Sequence, residues 1–311
     1  MSQQAAIIED TYAEAFRSLY AEILVTARDR KWLDHAIAAA TGHASSTIMC
    51  DCEAGLDRYV GPGGDPTVPT PDGRPGAILQ FHVPRFRKDR VPALEKSLLA
   101  RISQNVLTCP TTACFNNLDT DPYYKLGRKV AFFGDGHQFR AERHDHKVWV
   151  IPTMGGEFVL DRRFGYDDGI MGGNLWLMGE TEDAAIIAAE KAAEAVDESP
   201  GVITTFPGGV AASASKAGSK YSFLFASTYE KFCPTLREKL GQESGVPANV
   251  NSIMEIIING RDLENVKRAT YSAIERCMYT PGLVKITAGN YGGRLGKSFI
   301  YLHPKSAPTE E

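Results

Sequence analysis

Hydrophobic and polar positions follow two similar series along the chain, and each series predicts four strands and two helices. Short apolar runs bounded by Gly, Pro or polar residues are typical of strands, whereas apolar residues that recur every three or four positions are typical of amphipathic helices. The first series predicts strands at residues 23–26, 46–49, 77–83 and 112–115, with helices at 31–41 and 92–106. The second series predicts strands at residues 174–179, 202–206, 252–260 and 283–288, with helices at 183–198 and 263–279.

Both series have the order β-α-β-β-α-β, which is the split βαβ or ferredoxin-like arrangement. We therefore predict an α+β fold of two similar ferredoxin-like lobes (duplicated βαββαβ) with a substrate cleft between them. A doubly wound Rossmann fold is disfavoured because it requires strands that alternate one for one with helices. The expected lobes are residues 1–153 and 154–311, joined by extra strands near residues 129–136 and 147–152, and the Gly/Pro-rich residues 61–76 are expected to form a long loop.

Composition narrows the class of protein. The 311 residues are 43% hydrophobic and 23% charged, which is ordinary for a globular protein. The net charge of −4 argues against nucleic acid as a partner, since phosphate binding requires a basic field. The first residues lack a basic, apolar signal and no segment has the length of a membrane span, so we expect a cytoplasmic protein that does not enter a membrane. The six cysteines are accordingly expected to be reduced thiols.

Motifs for metal, nucleophilic or nucleotide chemistry are weak. Cys50 with Cys52 and His144 with His146 are each separated by one residue, whereas zinc sites usually show wider spacings such as CxxC. The sequence contains neither a GxSxG elbow nor a GxxxxGK[ST] loop. The glycine-rich residues 289–297 lead into a strand-like run rather than a helix, unlike a dinucleotide fingerprint. We expect no metal site, although a metal-dependent hydrolase that uses these Cys and His residues remains an alternative.

Residues 206–221, with the sequence FPGGVAASASKAGSKY, have a composition suited to a ligand site. Gly208 and Gly209 allow the backbone to approach a ligand closely. Lys216 and Lys220 lie on one side if the segment is helical, where they would hold carboxylate or phosphate groups. Hydroxyl groups are supplied by Ser213, Ser215, Ser219 and Tyr221. A small-residue packing helix with two solvated lysines is the competing interpretation.

Glu255 is the candidate proton donor. It lies in a predicted strand, and side chains alternate along a strand, so Glu255 shares one face with Ile253, Ile257 and Asn259. A carboxyl group among isoleucines is desolvated, which raises its pKa as a general acid at neutral pH requires. The competing interpretation places Glu255 on the wet face of an ordinary sheet.

Several long and distinctive stretches are spread over almost the whole chain. They are IEDTYAEAF (residues 8–16), IMCDCEAGLD (48–57), TPDGRPG (70–76), FFGDG (132–136), KVWVIP (147–152), GGEFV (155–159), residues 206–221 and PGLVKITAGNYGGRLGK (281–297). These stretches resemble the formylmethanofuran–tetrahydromethanopterin N-formyltransferase family. The resemblance implies a two-lobed α+β acyltransferase that moves a formyl group between N5 of tetrahydromethanopterin and the amine of a methanofuran-type carrier.

The resemblance also implies cofactors, partners and site residues. No cofactor is tightly bound and no metal is used, because tetrahydromethanopterin and the methanofuran-type carrier are substrates. Glu255 matches the proposed catalytic acid–base residue, and backbone N–H groups near Gly208 and Gly209 are expected to stabilise the oxyanion of the implied formyl transfer. Clefts between lobes and neighbouring subunits imply a homo-oligomer. The positions implied to bind substrate are Phe206, Pro207, Gly208, Gly209, Ser213, Ser215, Lys216, Ser219, Lys220, Tyr221 and Asn290.

The mild acidity of the chain is similar to the methylotrophic-bacterial branch of the family. In that branch the counterpart is one subunit of a formyltransferase/hydrolase complex, in which transfer runs from the pterin to the furan carrier. A non-catalytic structural subunit of such a complex is therefore the alternative function. Residues 61–76 and 116–124 depart most from the family pattern, which leaves substrate contacts there open.

Overall fold

The structure is a computed structural model in which residues 5–303 are described. They divide into two compact units, which we call the first unit (residues 17–169) and the second unit (residues 5–16 and 170–303). The strands are β1 (Ile7–Ile8), β2 (Tyr12–Thr26), β3 (Glu53–Val60), β4 (Gly76–Pro84), β5 (Ala113–Asn116), β6 (Tyr123–Tyr124), β7 (Phe139–Arg143), β8 (His146–Thr153), β9 (Gly156–Asp161), β10 (Phe164–Gly165), β11 (Asp167–Gly179), β12 (Val202–Thr204), β13 (Val210–Ala211), β14 (Ser215–Ala217), β15 (Ala226–Thr228), β16 (Ser252–Gly260), β17 (Leu283–Thr287) and β18 (Ser298–Tyr301). The α-helices are α1 (Arg30–Thr41), α2 (Arg90–Arg101), α3 (Leu126–Ala131), α4 (Glu182–Asp197), α5 (Arg237–Leu240) and α6 (Leu263–Cys277).

The first unit is a ferredoxin-like sheet with an added edge. Its strand order is β5-β2-β4-β3, with α1 and α2 as the two connections, so the first and third strands lie in the centre as the split βαβ arrangement requires. Alternate residues of β2, such as Leu19 and Ile23, share one core with Leu33 of α1 and Leu98 of α2. Beyond β5 the sheet continues through β9, β8 and β7.

The second unit repeats this topology. β11, β12, β16 and β17 correspond to the four strands, in the order β17-β11-β16-β12, and α4 and α6 connect them. Both helices begin at an N-cap, because Thr181 accepts the N–H of Ala184 and Asp262 accepts the N–H of Asn265. The buried face of α4 consists largely of alanines, which belong to the same core as α6 and the sheet. The predicted α+β fold of two ferredoxin-like repeats is thus confirmed.

Two element predictions are wrong. Residues 46–49 form a turn in which Met49 is 80% exposed, and the second strand of the first repeat is β3 instead. β3 was not predicted because its charged residues interrupt the pattern of apolar residues that is typical of a strand. Residues 129–136 were expected to be a strand, but they contain the end of α3 and a following turn. Val130 and Ala131 are both buried and Phe132 is exposed, which is not the alternation of a strand. By contrast, the strand expected at residues 147–152 corresponds to β8.

The division into units differs from the expected division after residue 153. Residues 5–16 belong to the second unit because β1 pairs with β17 and the start of β2 pairs with β18. Residues 154–169 belong to the first unit, since β9 pairs with both β5 and β8. Within residues 5–303, no helix combines the length and apolar character needed to cross a membrane.

Candidate active site

Glu255 lies in the middle of β16, on the face of the sheet opposite α4 and α6. Its neighbours Met254 and Ile256 belong to the core shared with these helices, and side chains alternate along a strand. Glu255 pairs directly with Trp176 of β11 on one side and with Ala211 of β13 on the other. Only 8% of the residue is exposed, so it does not lie on the wet face of an ordinary sheet.

Aromatic residues from outside β16 cover this face of the sheet. Trp176 makes edge contacts with Phe232 and Tyr229, with ring centroids 4.7 and 5.8 Å apart. Tyr229 also stacks on Tyr291, with centroids 6.4 Å apart. The surroundings of Glu255 are therefore largely aromatic, whereas the strand pattern alone indicated isoleucines.

The carboxyl group of Glu255 is poised to exchange a proton near neutral pH. Burial raises its pKa from 4.5 to about 7, although a hydrogen bond that Trp176 Nε1–H donates to Oε1 at 2.8 Å lowers it. Burial, with a contribution from the charge of Glu255, raises the pKa of Tyr291 to about 12, so this hydroxyl group stays protonated. It donates to the carbonyl oxygen of Ser215 at 2.9 Å. A carboxyl group whose two protonation states are both populated at neutral pH suits general acid–base catalysis.

Glu14, to which the sequence analysis gave no role, organises the glycine-rich loop at residues 289–297. Its side chain is fully buried on β2, where its only sequence signal is a lone acid between Ala13 and Ala15. Burial raises the pKa of Glu14, but four backbone N–H groups outweigh this effect and hold the pKa below its ordinary value. The donors are the N–H groups of Tyr291, Gly293, Leu295 and Gly296. Glu14 thereby fixes the loop that carries Tyr291 and Asn290.

A cavity of about 450 Å³ lies next to Trp176 in the second unit. Trp176, Tyr229 and Phe232 supply its aromatic wall. The other lining residues are Glu9, Asp10, Thr11, Met178, Gly245, Lys285, Thr287, Ala288, Gly289 and Asn290. A flat ligand with polar edges fits such a combination of aromatic and polar walls. Glu255 does not line the cavity itself, but the indole of Trp176 links it to the wall.

Asn290 is the predicted binding residue that lines this cavity. Its Nδ2 donates to Thr11 Oγ1 at 2.9 Å, which fixes the amide in the wall. The predicted residues in the 206–221 segment do not line the cavity. The segment instead reaches Glu255 from the other side, because β13 pairs with β16 next to it.

Residues 206–221 do not form an α-helix. Gly208 and Gly209 have φ angles of 62° and 77°, and they make a tight turn between β12 and β13. The N–H of Gly209 donates to the carbonyl oxygen of Phe206 at 2.8 Å. It is therefore not available to an oxyanion, which differs from the expectation from sequence. Beyond β13, strands β14 and β15 form a hairpin.

The two lysines of this segment have different environments, and they share no helical face because the segment is not an α-helix. Lys216 forms an ion pair with Glu230, and this pairing lowers the pKa of Glu230. Lys220 lies in the turn region of the hairpin and is exposed, as is Tyr221. Residues four apart lie on the same side of a strand only if the strand continues between them. β14 ends at Ala217, so it does not align Lys216 with Lys220.

The candidate metal ligands do not gather into a site. Among residues 5–303, no three His, Cys, Asp or Glu side chains are arranged to hold a metal ion. His144 lies in the turn between β7 and β8, whereas the Nδ1 of His146 lies 3.0 Å from Asp161. Burial raises the pKa of Cys52 to about 12, which keeps this thiol protonated and a poor ligand. All six cysteines are free thiols, as expected.

Two ferredoxin-like units, one with a carboxyl group of near-neutral pKa beside an aromatic cavity, define an α+β protein equipped for acid–base chemistry. A family model described as formylmethanofuran-tetrahydromethanopterin formyltransferase matches residues 1–153, and a second, described as the proximal lobe of that enzyme, matches residues 156–304. The chain therefore belongs to the formylmethanofuran–tetrahydromethanopterin formyltransferase family, whose members are acyltransferases. The resemblance stated from sequence is confirmed.

Individual relatives agree with this membership. The formylmethanofuran–tetrahydromethanopterin formyltransferase of Methanosarcina acetivorans is 46% identical over 298 residues, which cover 95% of this chain and 97% of the relative. The solved structure of the formylmethanofuran–tetrahydromethanopterin formyltransferase of Methanosarcina barkeri has a TM-score of 0.89 and 43% identity, covering 96% of this chain and 97% of that one. A chain of the formyltransferase/hydrolase complex from Methylorubrum extorquens, solved with methylofuran, has a TM-score of 0.86 and 37% identity, covering 95% of both chains.

Proposed function

We propose that this protein is an N-formyltransferase that moves a formyl group between N5 of tetrahydromethanopterin and the amine of a methanofuran-type carrier. Family membership and the names of the relatives support this reaction. The structural observation that carries it is Glu255, a buried carboxyl group whose pKa of about 7 suits proton exchange between two nitrogens. Both carriers act as substrates, so the reaction requires no tightly bound cofactor.

The chemistry assigns Glu255 a role in each half of the transfer. The acceptor amine attacks the formyl carbon, a new N–C bond forms, and negative charge develops on the formyl oxygen. The C–N bond to the donor then breaks, and the leaving nitrogen takes the proton of neutral Glu255. The resulting carboxylate takes the proton that the attacking amine releases, which restores the neutral acid.

The same proposal assigns carrier binding to the residues around Glu255. We place the flat ring system of one carrier in the cavity bounded by Trp176, Tyr229 and Asn290. The other binding residues remain those of the 206–221 segment, whose turn and β13 lie beside the strand of Glu255. They are Phe206, Pro207, Gly208, Gly209, Ser213, Ser215, Lys216, Ser219, Lys220 and Tyr221.

We further propose that the chain assembles into a homo-oligomer and joins other subunits of a formyltransferase/hydrolase complex. Its similarity to a chain of the Methylorubrum extorquens complex supports this assembly. The hairpin of β14 and β15 supports it as well, because Tyr221, Phe223 and Phe225 at its tip are more than half exposed. Exposed aromatic clusters of this kind are typical of surfaces that a partner covers.

The test is formyl transfer by the isolated protein, measured in both directions with both carriers. Glu255→Gln keeps the acceptor for Trp176 but cannot release a proton, so we expect turnover to fall about 100-fold or more with little change in carrier binding. Glu264→Gln is the matched control, because that glutamate is exposed in the same unit. Full turnover by Glu255→Gln would exclude the acid–base role.

The same assay distinguishes the alternative of a non-catalytic structural subunit. An enzyme transfers the formyl group in a single turnover without other subunits, whereas a structural subunit transfers none until a partner is added. A metal analysis of the purified, active protein tests the remaining alternative of a metal-dependent hydrolase. Activity that persists after chelation is expected, and activity that requires a restored metal ion would support the hydrolase.

A further inference from the structure

The first unit, which does not contain Glu255, holds a group of arginines without acidic partners. It has fourteen arginines, and nine of them form ion pairs with carboxylates. The five without an ion pair in this unit are Arg90, Arg128, Arg140, Arg162 and Arg163. All of these except Arg90 line one cavity of about 270 Å³, together with Lys125 and Trp149. Five cationic side chains and no carboxylate thus border a single small cavity.

Aromatic rings hold three of these arginines in place. The guanidinium of Arg163 lies over Tyr123, with its carbon 4.3 Å from the ring centroid. Those of Arg140 and Arg128 lie over Trp149 and Phe132, at 5.1 and 5.8 Å. Stacking occupies the flat face of a guanidinium and leaves the N–H donors at its edge free to bind an anion. These cations are positioned without being neutralised.

The fourth arginine connects the cavity to a larger one. Arg162 Nε donates to the carbonyl oxygen of Val148 at 3.3 Å, a bond that orients the side chain without cancelling its charge. Arg162 and Arg163 also line a neighbouring cavity of about 880 Å³, whose wall includes Lys147 and His146 but also three carboxylates, those of Asp119, Asp145 and Asp161. The carboxylates of the larger cavity disfavour an anion there, so the smaller cavity, which no carboxylate lines, is the place for one.

We propose that these arginines form a binding site for a small, multiply charged anion that carries several carboxylate or phosphate groups. Grouped like charges repel each other, and an anion in the cavity relieves that repulsion. Guanidinium edges match carboxylate and phosphate oxygens in pairs, and a small cavity with several such edges selects for more than one anionic group. The proposal stands independently of formyl transfer.

The experiment is isothermal titration of the full-length protein with tripolyphosphate and with citrate, at low ionic strength. We expect saturable binding at one site per chain for at least one probe, weakened by added salt. Tighter binding of tripolyphosphate indicates a phosphate ligand and tighter binding of citrate a polycarboxylate, and either result supports the site. Absence of saturable binding for both probes overturns it.

Variants locate the site. Arg128→Ala and Arg163→Ala each remove an exposed cation of the cavity, and we expect each to weaken binding about tenfold or more. Arg90→Ala is the matched control. Arg90 also lacks an ion pair in this unit, but it lies outside the cavity. Equal losses in Arg90→Ala and the cavity variants overturn the assignment. Arg163→Lys keeps the charge and the fold but loses the paired edge, so an intermediate affinity is expected.

Discussion

The raised pKa of Glu255 makes the stability of the protein depend on pH in a way that one substitution removes. Burial holds the folded-state pKa at about 7, against an ordinary value of 4.5. At 1.36 kcal/mol for each pKa unit, this difference corresponds to about 3 kcal/mol. Between these two values the folded state keeps a proton that the unfolded state has released, so the free energy of unfolding falls as the pH rises.

Glu255→Gln has no titrating group at this position but retains an oxygen for the indole N–H of Trp176. Relative to the variant, the unmodified protein should therefore lose about 3 kcal/mol of stability between pH 4.5 and pH 7.5, with no further relative loss above that range. Urea unfolding, followed by circular dichroism at intervals of half a pH unit, measures the difference between the two proteins. The other titrating groups are the same in both proteins, so their contributions cancel in the difference between the two free energies of unfolding.

Glu264→Gln provides the control for this measurement. Its side chain is 80% exposed, so this variant shows the effect of losing a surface carboxyl group while the buried one is kept. If the curves of the unmodified protein and Glu255→Gln run parallel over the whole range, Glu255 is not a buried carboxyl group with a raised pKa. Proton transfer by Glu255 at neutral pH is then excluded as well.

Four further substitutions test the surroundings of Glu255. Trp176→Phe removes a hydrogen bond that lowers the pKa of Glu255, so the midpoint of the pH–rate profile should move to higher pH, and an unchanged or lower midpoint contradicts this. Glu14→Gln replaces a charged acceptor of four N–H groups and should cost about 2–4 kcal/mol in urea unfolding, whereas a cost below about 1 kcal/mol means the loop at residues 289–297 is held by other contacts. Gly208→Ala should cost about 1–2 kcal/mol for its positive φ alone. Gly209→Ala should cost clearly more, because its Cβ would lie 2.9 Å from both Ala193 and Thr204, and equal costs would show that this space relaxes.

Much of the fold followed from hydrophobic periodicity. α1, α4 and β16 were predicted almost to the residue, because each has a clear period and a clear boundary, such as the cap at Thr181. β3 was missed because several of its charged side chains are buried or partnered within the unit, which a count of apolar residues does not register. The 206–221 segment was ambiguous for a related reason, since small residues fit a helix, a turn and a strand equally well.

The candidate site was predicted in part. Glu255 was found because a lone acid interrupts a run of apolar strand residues, which is a local signal. Glu14 and Trp176 were not found, since their roles depend on partners more than 75 residues away in the chain. The arginine cavity was not predicted for the same reason. The residues that line it come from α3, β7, β8 and neighbouring segments, and no short sequence motif contains them.

The sequence by itself determined the repeated β-α-β-β-α-β order, the family and the position of one acid within an apolar strand, because periodicity and motifs are properties of neighbouring residues. The tertiary structure decided the pKa of that acid, since burial by Trp176, Tyr229 and Tyr291 arises only when distant segments meet. It also decided which cations are neutralised. A charge in a sequence has no partner until the chain folds, and the free energy of that charge depends on what then lies beside it.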